Sequence, residues 1–130
     1  MTFSVITVVF NDEKQIEKTI QSVLEQSYKN IQYIIIDGKS TDNTLEIIRK
    51  YQDKIDTIVS ESDNGLYDAM NKALKYIKGD YVCFLNSGDT FFSKTTIEQA
   101  IASINTNMPQ IIYGDRSEEH TSELQSRQVI

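Results

Sequence analysis

Carboxylates, amides and hydroxyls gather in three short stretches of this chain: Asn11-Asp12, Asp37 to Asp42 (DGKSTD) and Asn86 to Asp89 (NSGD). Each stretch follows directly on an apolar run: FSVITVVF at 3–10, IQYIII at 31–36 and YVCFL at 81–85. Apolar runs of this length, bounded by turn residues, read as buried strands. Open α/β folds bind their ligands where such strands end. Carboxylates at that edge suit two roles. They accept hydrogen bonds from a base or ribose, and they hold a hard divalent cation such as Mg2+ or Mn2+ through oxygen ligands. No G-x-x-x-x-G-K-[ST] loop is present, and no G-x-G-x-x-G follows the first run. That argues against P-loop enzymes and dinucleotide binders.

The elements that must position these clusters can be read in order. The run at 3–10 is apolar throughout, the pattern of a parallel strand covered on both faces. Asp12 and Gln15 have capping-box spacing, and Ile16, Ile20, Val23 and Leu24 mark one face of a helix reaching about Gln26. The strand at 31–36 exits into 37–42, where Ser40 or Thr41 can cap a helix with Leu45, Ile48 and Tyr51 inward. IDTIVS at 55–60 is a weaker strand, and ESDNG at 61–65 is a loop dense in turn formers. A third helix is expected from about Leu66 to Lys78, with Tyr67, Met70, Leu74 and Ile77 inward and Gly79 as its C′ stop. Lys72, Lys75 and Lys78 read as its solvated face. After the strand at 81–85, Thr95 or Thr96 can cap a fourth helix with Ile97, Ile101 and Ile104 inward. Ile111 begins a fifth strand. Strands alternating with helices predict a mostly parallel α/β sheet with helices on both faces.

Bulk properties narrow the partners. The 130 residues make one domain at most, and the 25% charged and 39% hydrophobic fractions are those of an ordinary globular chain. A formal charge of −6 disfavours nucleic acid as a partner. An anionic ligand needs local help from backbone N–H groups, a helix N-terminus or a metal ion. Cys83 is the only cysteine; inside an apolar run it reads as a small buried hydrophobe in a reducing compartment. No run approaches the roughly 20 apolar residues of a membrane span, and no signal peptide is evident.

Four segments together resemble the N-terminal part of family 2 glycosyltransferases: ITVVFN at 6–11, IIDGKSTDNT at 35–44, SDNGLYDAMNKAL at 62–74 and GDYVCFLNSGD at 79–89. SDNGLYDAMNKAL and FLNSGD are most similar to bacterial enzymes that build surface polysaccharides. The resemblance implies the GT-A fold, a Rossmann-like nucleotide-diphospho-sugar-binding α/β domain. It further implies an inverting, metal-assisted transfer from a nucleotide-sugar donor, a UDP-sugar, to a glycan or lipid-linked glycan acceptor. It places Val8, Val9, Phe10 and Asn11 in the loop bracketing the nucleobase, with Phe10 as an apolar wall. Asp37 would lie near the uracil pocket, and Gly38 stands where many relatives carry a second acid. Asp63, Gly65, Asp68 and Asn71 would line the donor side. Asn86, Ser87, Gly88 and Asp89 occupy the DxD-type motif, with Asn86 and Gly88 in place of two aspartates. Asp89 is therefore the metal ligand, for Mg2+ or Mn2+. Other readings stay open: Asp37 is equally a turn former, Asp42 a first-turn helix acid, and Asp63-Asn64 a simple turn. A non-catalytic interaction module on the same fold is the alternative function. A nucleotidyltransferase is disfavoured by the missing Gly-rich loop.

The domain is expected to cover 1–115 and to be truncated there. Arg116 to Ser126 (RSEEHTSELQS) reads as the translation of a sequencing-library adapter, so 116–130 is taken as a non-native tail. His120, the only histidine, lies inside it and is assigned no chemistry. The catalytic base is expected beyond Asp115, as are any segments giving peripheral membrane association at the inner face of a cytoplasmic enzyme. A chain that stops there is expected to bind donor weakly or not at all, and not to turn over. Sequencing the source gene across the codon for Asp115 should show a different native continuation; an unbroken frame through Ser126 would sink this reading.

Overall fold

The computed structural model describes residues 1–104, 110–113 and 127–128. In chain order they form β1 (Phe3–Val9), α1 (Ile16–Leu24), β2 (Ile31–Asp37), α2 (Thr44–Arg49), a 3-10 turn (Gln52–Lys54), β3 (Thr57–Ser60), α3 (Leu66–Leu74), β4 (Tyr81–Phe84), α4 (Thr96–Ile104), β5 (Gln110–Tyr113) and β6 (Arg127–Gln128). The sheet order is β3-β2-β1-β4-β5-β6. Every pairing is parallel except β5 with β6. β5 is the fifth strand expected from Ile111, whereas β6 lies in the 116–130 stretch read as a tail. Backbone pairing on an open edge needs no particular side-chain pattern, which is why periodicity gives no sign of it.

Alternation along β1 and β2 divides the core. Phe3, Val5 and Val9 of β1 and Tyr33 and Ile35 of β2 face one layer, with Ile16, Ile20, Val23, Ile48 and Ile97 from α1, α2 and α4. Ile6, Ile34 and Ile36 face the other, where α3 packs through Ala69 and Ala73. Helices therefore cover both faces, as a continuously apolar strand requires. Cys83 is fully buried between them, and burial pushes its thiol far above the ordinary range. It is a packing residue. Burial likewise raises the Tyr33 phenol, whose hydroxyl pairs with Thr7 at 2.8 Å.

The α3 face differs from expectation. Tyr67 and Leu74 are 81% and 53% exposed, while Ala69 and Ala73 are buried. The two alanines let the helix axis come close to the sheet, where wider side chains would hold it off. The helix also ends at Leu74, four residues short of the expected Lys78. Ile77 packs against the sheet from the following turn. Lys72, expected in solvent, donates to the Ser62 carbonyl and pairs with Glu61 and Asp68 at 3.3 and 3.7 Å.

Helix starts also differ. No Asp12 or Ser40 side chain caps α1 or α2; Asp42 Oδ1 instead accepts the Thr44 N–H at 2.9 Å. Hydrogen bonding from Thr44 holds the Asp42 carboxyl below its ordinary range, so Asp42 acts as the helix acid. At α4 the buried Gln26 side chain reaches over from the end of α1. Its Oε1 accepts the Ile97 N–H at 3.0 Å and its Nε2 donates to the Ser93 carbonyl at 2.7 Å.

Gly79 is a close-approach residue, not the C′ stop of α3. Its N–H donates to Ser4 Oγ at 2.9 Å, and Ser4 Oγ–H donates to Gln32 Oε1 at 2.6 Å. Gln32 in turn binds the Tyr76 carbonyl and the Lys78 N–H, both at 2.8 Å. This buried network seats the turn that feeds β4. A Cβ at position 79 would lie 2.4 Å from Ser4 Oγ and 2.8 Å from Ser4 N. Gly79→Ala should therefore lower stability by about 1–3 kcal/mol, measured by urea unfolding of the full-length protein; an unchanged midpoint would contradict the close packing.

Candidate functional site

The parallel register brings the exits of four strands to one edge. Val9 lies opposite Asp37, and Asp37 opposite Ser60. The Leu85 N–H continues the β4 ladder to the Ile6 carbonyl at 2.8 Å, and the Ser87 N–H reaches the Val8 carbonyl at 3.0 Å. Val8 and Val9 belong to β1 itself, so they are not part of a bracketing loop. Val9 is buried, and its carbonyl accepts the Gly38 N–H at 2.9 Å. The loop begins at Phe10, which is 60% exposed.

Asp37 is fully buried. Its carboxylate accepts the Ser40 N–H at 3.0 Å, the Ser40 hydroxyl at 2.5 Å and the Ser60 hydroxyl at 2.8 Å. Ser40 Oγ also accepts the Asn11 N–H at 2.8 Å. Asn11, at φ 47°, returns its Oδ1 to the Thr41 N–H at 2.7 Å. Asp37 therefore acts on its own loop, the turn-former reading, and ties the exits of β1, β2 and β3 together.

What faces outward from this clasp is a different set. An added Cβ on Gly38 would lie 3.0 Å from Asp63 Oδ2 and 3.4 Å from the Phe10 ring. Phe10, Gly38 and Asp63 thus form one corner, with an apolar ring, a bare backbone and a carboxylate. Asp63 Oδ1 accepts the Gly65 N–H at 3.3 Å. Gly65 sits at φ 106°, ψ −178°, a region essentially closed to other residues. Asp68 and Asn71 are not drawn into the corner by any hydrogen bond. Asp68 accepts the Asn64 N–H at 2.8 Å at the head of α3, and Asn71 is exposed on the helix.

The Asn86–Asp89 segment is a tight turn closed by the Asp89 N–H on the Asn86 carbonyl at 2.9 Å. Gly88 takes φ 97° there, which favours glycine over aspartate at this place in the motif. Thr19 of α1, buried, pins the turn from below. Its hydroxyl accepts the Gly88 N–H at 3.0 Å and donates to the Asp89 carbonyl at 2.8 Å. Asp12 Oδ2 accepts the Ser87 hydroxyl at 2.8 Å. Asn86 Oδ1 is buried with no protein partner. Sequence reasoning misses Thr19 and Asp12 as parts of this site. Asp12 carries a signal, its place at a strand exit, but its spacing to Gln15 points to a helix cap instead. A cavity of about 300 Å3 lined by residues including Val23, Tyr28, Ile31 and Lys54 lies at the opposite end of β2, away from these groups.

Removing one acceptor from the Asp37 clasp should leave a buried donor unpaired. Asp37→Asn is expected to cost about 1–3 kcal/mol in denaturant unfolding. A variant as stable as the parent would show that the clasp does not hold the edge.

Comparison with known proteins gives this geometry a context. The glycosyl transferase family 2 model matches residues 4–129. UDP-Glc:alpha-D-GlcNAc-diphosphoundecaprenol beta-1,3-glucosyltransferase WfaP of Escherichia coli is 40% identical over 104 residues, covering 79% of this chain and 41% of that protein. Poly(ribitol-phosphate) beta-N-acetylglucosaminyltransferase TarS of Staphylococcus aureus is 32% identical over 117 residues, covering 86% of this chain and 20% of that one. The crystal structure of TarS 1–349 in complex with UDP-GlcNAc matches with a TM-score of 0.74 at 33% identity, over 81% of this chain and 31% of the other. The mannosyltransferase PcManGT from Pyrobaculum calidifontis, solved with GDP-Man and Mn2+, shares the fold at a TM-score of 0.70 and 24% identity, over 76% of this chain and 31% of that one. The chain thus spans about two fifths or less of the length of these relatives. The expected GT-A architecture is borne out by the sheet order and by these matches. Through a match that runs nearly end to end, the chain belongs to glycosyl transferase family 2.

Proposed function

We propose that residues 1–115 are the donor-binding part of an inverting, metal-assisted transferase. It moves a sugar from a UDP-sugar to a saccharide or lipid-linked acceptor, and residues 116–130 lie outside the domain. One observation carries this reading: the apolar, carboxylate-edged corner at the end of β2 and the oxygen-rich turn at the end of β4 flank the same strand. Two strand spacings separate them, about 10 Å, a span suited to a nucleoside diphosphate lying across the carboxyl end of β1. The names of WfaP and TarS, which specify a UDP-glucose donor and an N-acetylglucosaminyl transfer, support a nucleotide-sugar donor.

The turn fits a hard divalent cation, Mg2+ or Mn2+. Its donors are all oxygens: the Asp89 carboxylate, the Ser87 hydroxyl and the unpartnered amide oxygen of Asn86. Among the described residues no three acidic, histidine or cysteine side chains form a metal-binding group. Diphosphate and water must therefore complete the coordination, the arrangement Mg2+ favours. Asp89 would hold the ion, which supplies charge neutralisation at the leaving diphosphate. In the transfer itself an acceptor hydroxyl bonds to the anomeric carbon as the bond to the diphosphate oxygen breaks on the opposite face. The hydroxyl proton passes to a carboxylate base, which this reading assigns to the protein beyond Asp115.

The reading places the enzyme in the cytoplasm, where peripheral membrane attachment would come through the same downstream segments. No helix of the described residues is long and apolar enough to cross a membrane.

Calorimetry of the full-length protein with UDP, with and without Mn2+, tests the proposal. Binding should depend on the metal and weaken at least tenfold, about 1.4 kcal/mol, in Asp89→Ala. UDP binding indifferent to both would remove Asp89 from the metal site, and no binding at all would favour an interaction module.

A further inference from the structure

We infer that Asp12 is a positioning residue for the cation of the β4 turn. Its carboxylate accepts the Ser87 hydroxyl hydrogen bond, which leaves the lone pairs of Ser87 Oγ to face the ion. This inference rests on the donor-site reading above and deepens it. Two observations carry it, one at Ser87 and one at Gly88.

A serine hydroxyl has one O–H donor and two acceptor lone pairs, and it rotates to suit its surroundings. Free to rotate, it can turn its hydrogen toward a cation and repel it. Asp12 Oδ2 lies 2.8 Å from Ser87 Oγ and fixes that hydrogen on its own side. Both residues are held in place for this contact. The Ser87 N–H is bonded to the Val8 carbonyl at 3.0 Å. The Asp12 N–H donates to Thr44 Oγ1 at 2.9 Å, and Thr44 is buried. The Asp12 carbonyl accepts the Gln15 and Ile16 N–H groups at 3.1 and 3.0 Å. Its main chain is thus clamped between the starts of α1 and α2. The Asp12 side chain does not cap α1, so helix capping does not account for its carboxylate.

Gly88 gives the second observation. A Cβ built on it would stand 3.7 Å from Asp12 Oδ2 and 3.2 Å from Gln15 Oε1. The side of the turn from which an aspartate at position 88 would project is therefore already faced by a carboxylate from the β1 exit. Asp12 reaches the turn from outside the motif, 75 residues away in the chain, and acts on it through Ser87. Removing a group that orients a metal ligand in this way commonly lowers metal affinity by roughly 10–100-fold.

The test measures UDP binding by calorimetry on the full-length protein, with saturating Mn2+ and with a chelator. The ratio of the two dissociation constants is the metal enhancement. Asp12→Asn keeps the size of the side chain but removes its charge and its obligate acceptor character. The enhancement should fall at least tenfold, while metal-free UDP binding stays within twofold or tightens as a negative charge leaves the site. Ser87→Ala removes the oxygen that Asp12 orients and should lower the enhancement as well; it tests the same contact should Asp12→Asn fail to fold. In the Ser87→Ala background Asp12→Asn should lower the enhancement by less than threefold, because the group it works through is gone. A merely structural Asp12 would weaken metal-free and metal-supported binding together and leave the enhancement within twofold, which would overturn the inference. So would an Asp12→Asn effect as large without the Ser87 hydroxyl as with it, or a Ser87→Ala enhancement within twofold of the parent's. A parent whose UDP binding does not respond to Mn2+ defeats the donor-site reading itself, an outcome distinct from an unmoved enhancement in a variant.

Discussion

A fully buried carboxylate at the end of β2 sets the shape of the working edge. Burying an ionised group is costly unless hydrogen bonds replace the lost water. Asp37 meets that demand with the Ser40 N–H and the Ser40 and Ser60 hydroxyls. Each donor comes from a segment that would otherwise be free to wander: the β2 exit loop and the last residue of β3. Because Ser40 also accepts the Asn11 N–H, the β1 exit is drawn into the same arrangement. The positions of Phe10 and Gly38 follow from it. A residue whose type suggests ligand contact is instead the reason the contact surface has a fixed form.

The β4 side of the edge is held by a different device. Here the fixing group is a neutral hydroxyl, Thr19, bonded to both the Gly88 N–H and the Asp89 carbonyl. With Gly88 at positive φ, the turn presents the Gly88 N–H and the Asp89 carbonyl to that hydroxyl. Preorganisation of this kind lowers the ordering cost when a ligand binds. In the proposed donor site, α1 thus fixes the shape of a motif that carries one carboxylate.

The main architecture is legible in the sequence because it depends on local pattern. Continuous apolar runs at 3–10 and 31–36 fit covered parallel strands, and they are interior strands of the sheet. The three polar strand exits mark the edge for the same reason. What escapes is non-local. Gln26 capping α4 and Thr19 pinning the β4 turn act across about 70 residues of chain, and no spacing rule connects such positions. Asp12 misleads because one residue can satisfy a helix-start pattern and a strand-exit role, and tertiary contact selects the second. The face of α3 fails for a packing reason. Large apolar residues at helical spacing outweigh Ala69 and Ala73 in the pattern, yet close approach to the sheet requires the small ones.

Electrostatics bears on how such an edge can receive a nucleotide diphosphate at all. The chain carries a formal charge of −6, and the residues gathered at the strand exits are mostly acidic or neutral. Long-range attraction to a diphosphate is therefore absent, and close approach of the bare anion to Asp89 is repulsive. Two routes to affinity remain. In the donor-site reading proposed above, one is the uncharged end of the ligand, for which the exposed Phe10 ring offers apolar surface. The other is a divalent cation that reverses the local sign at the β4 turn. The acidic residues thus serve separate ends. Asp37 holds the edge together, Asp63 borders the Phe10–Gly38 corner, and Asp89 closes the turn that follows β4.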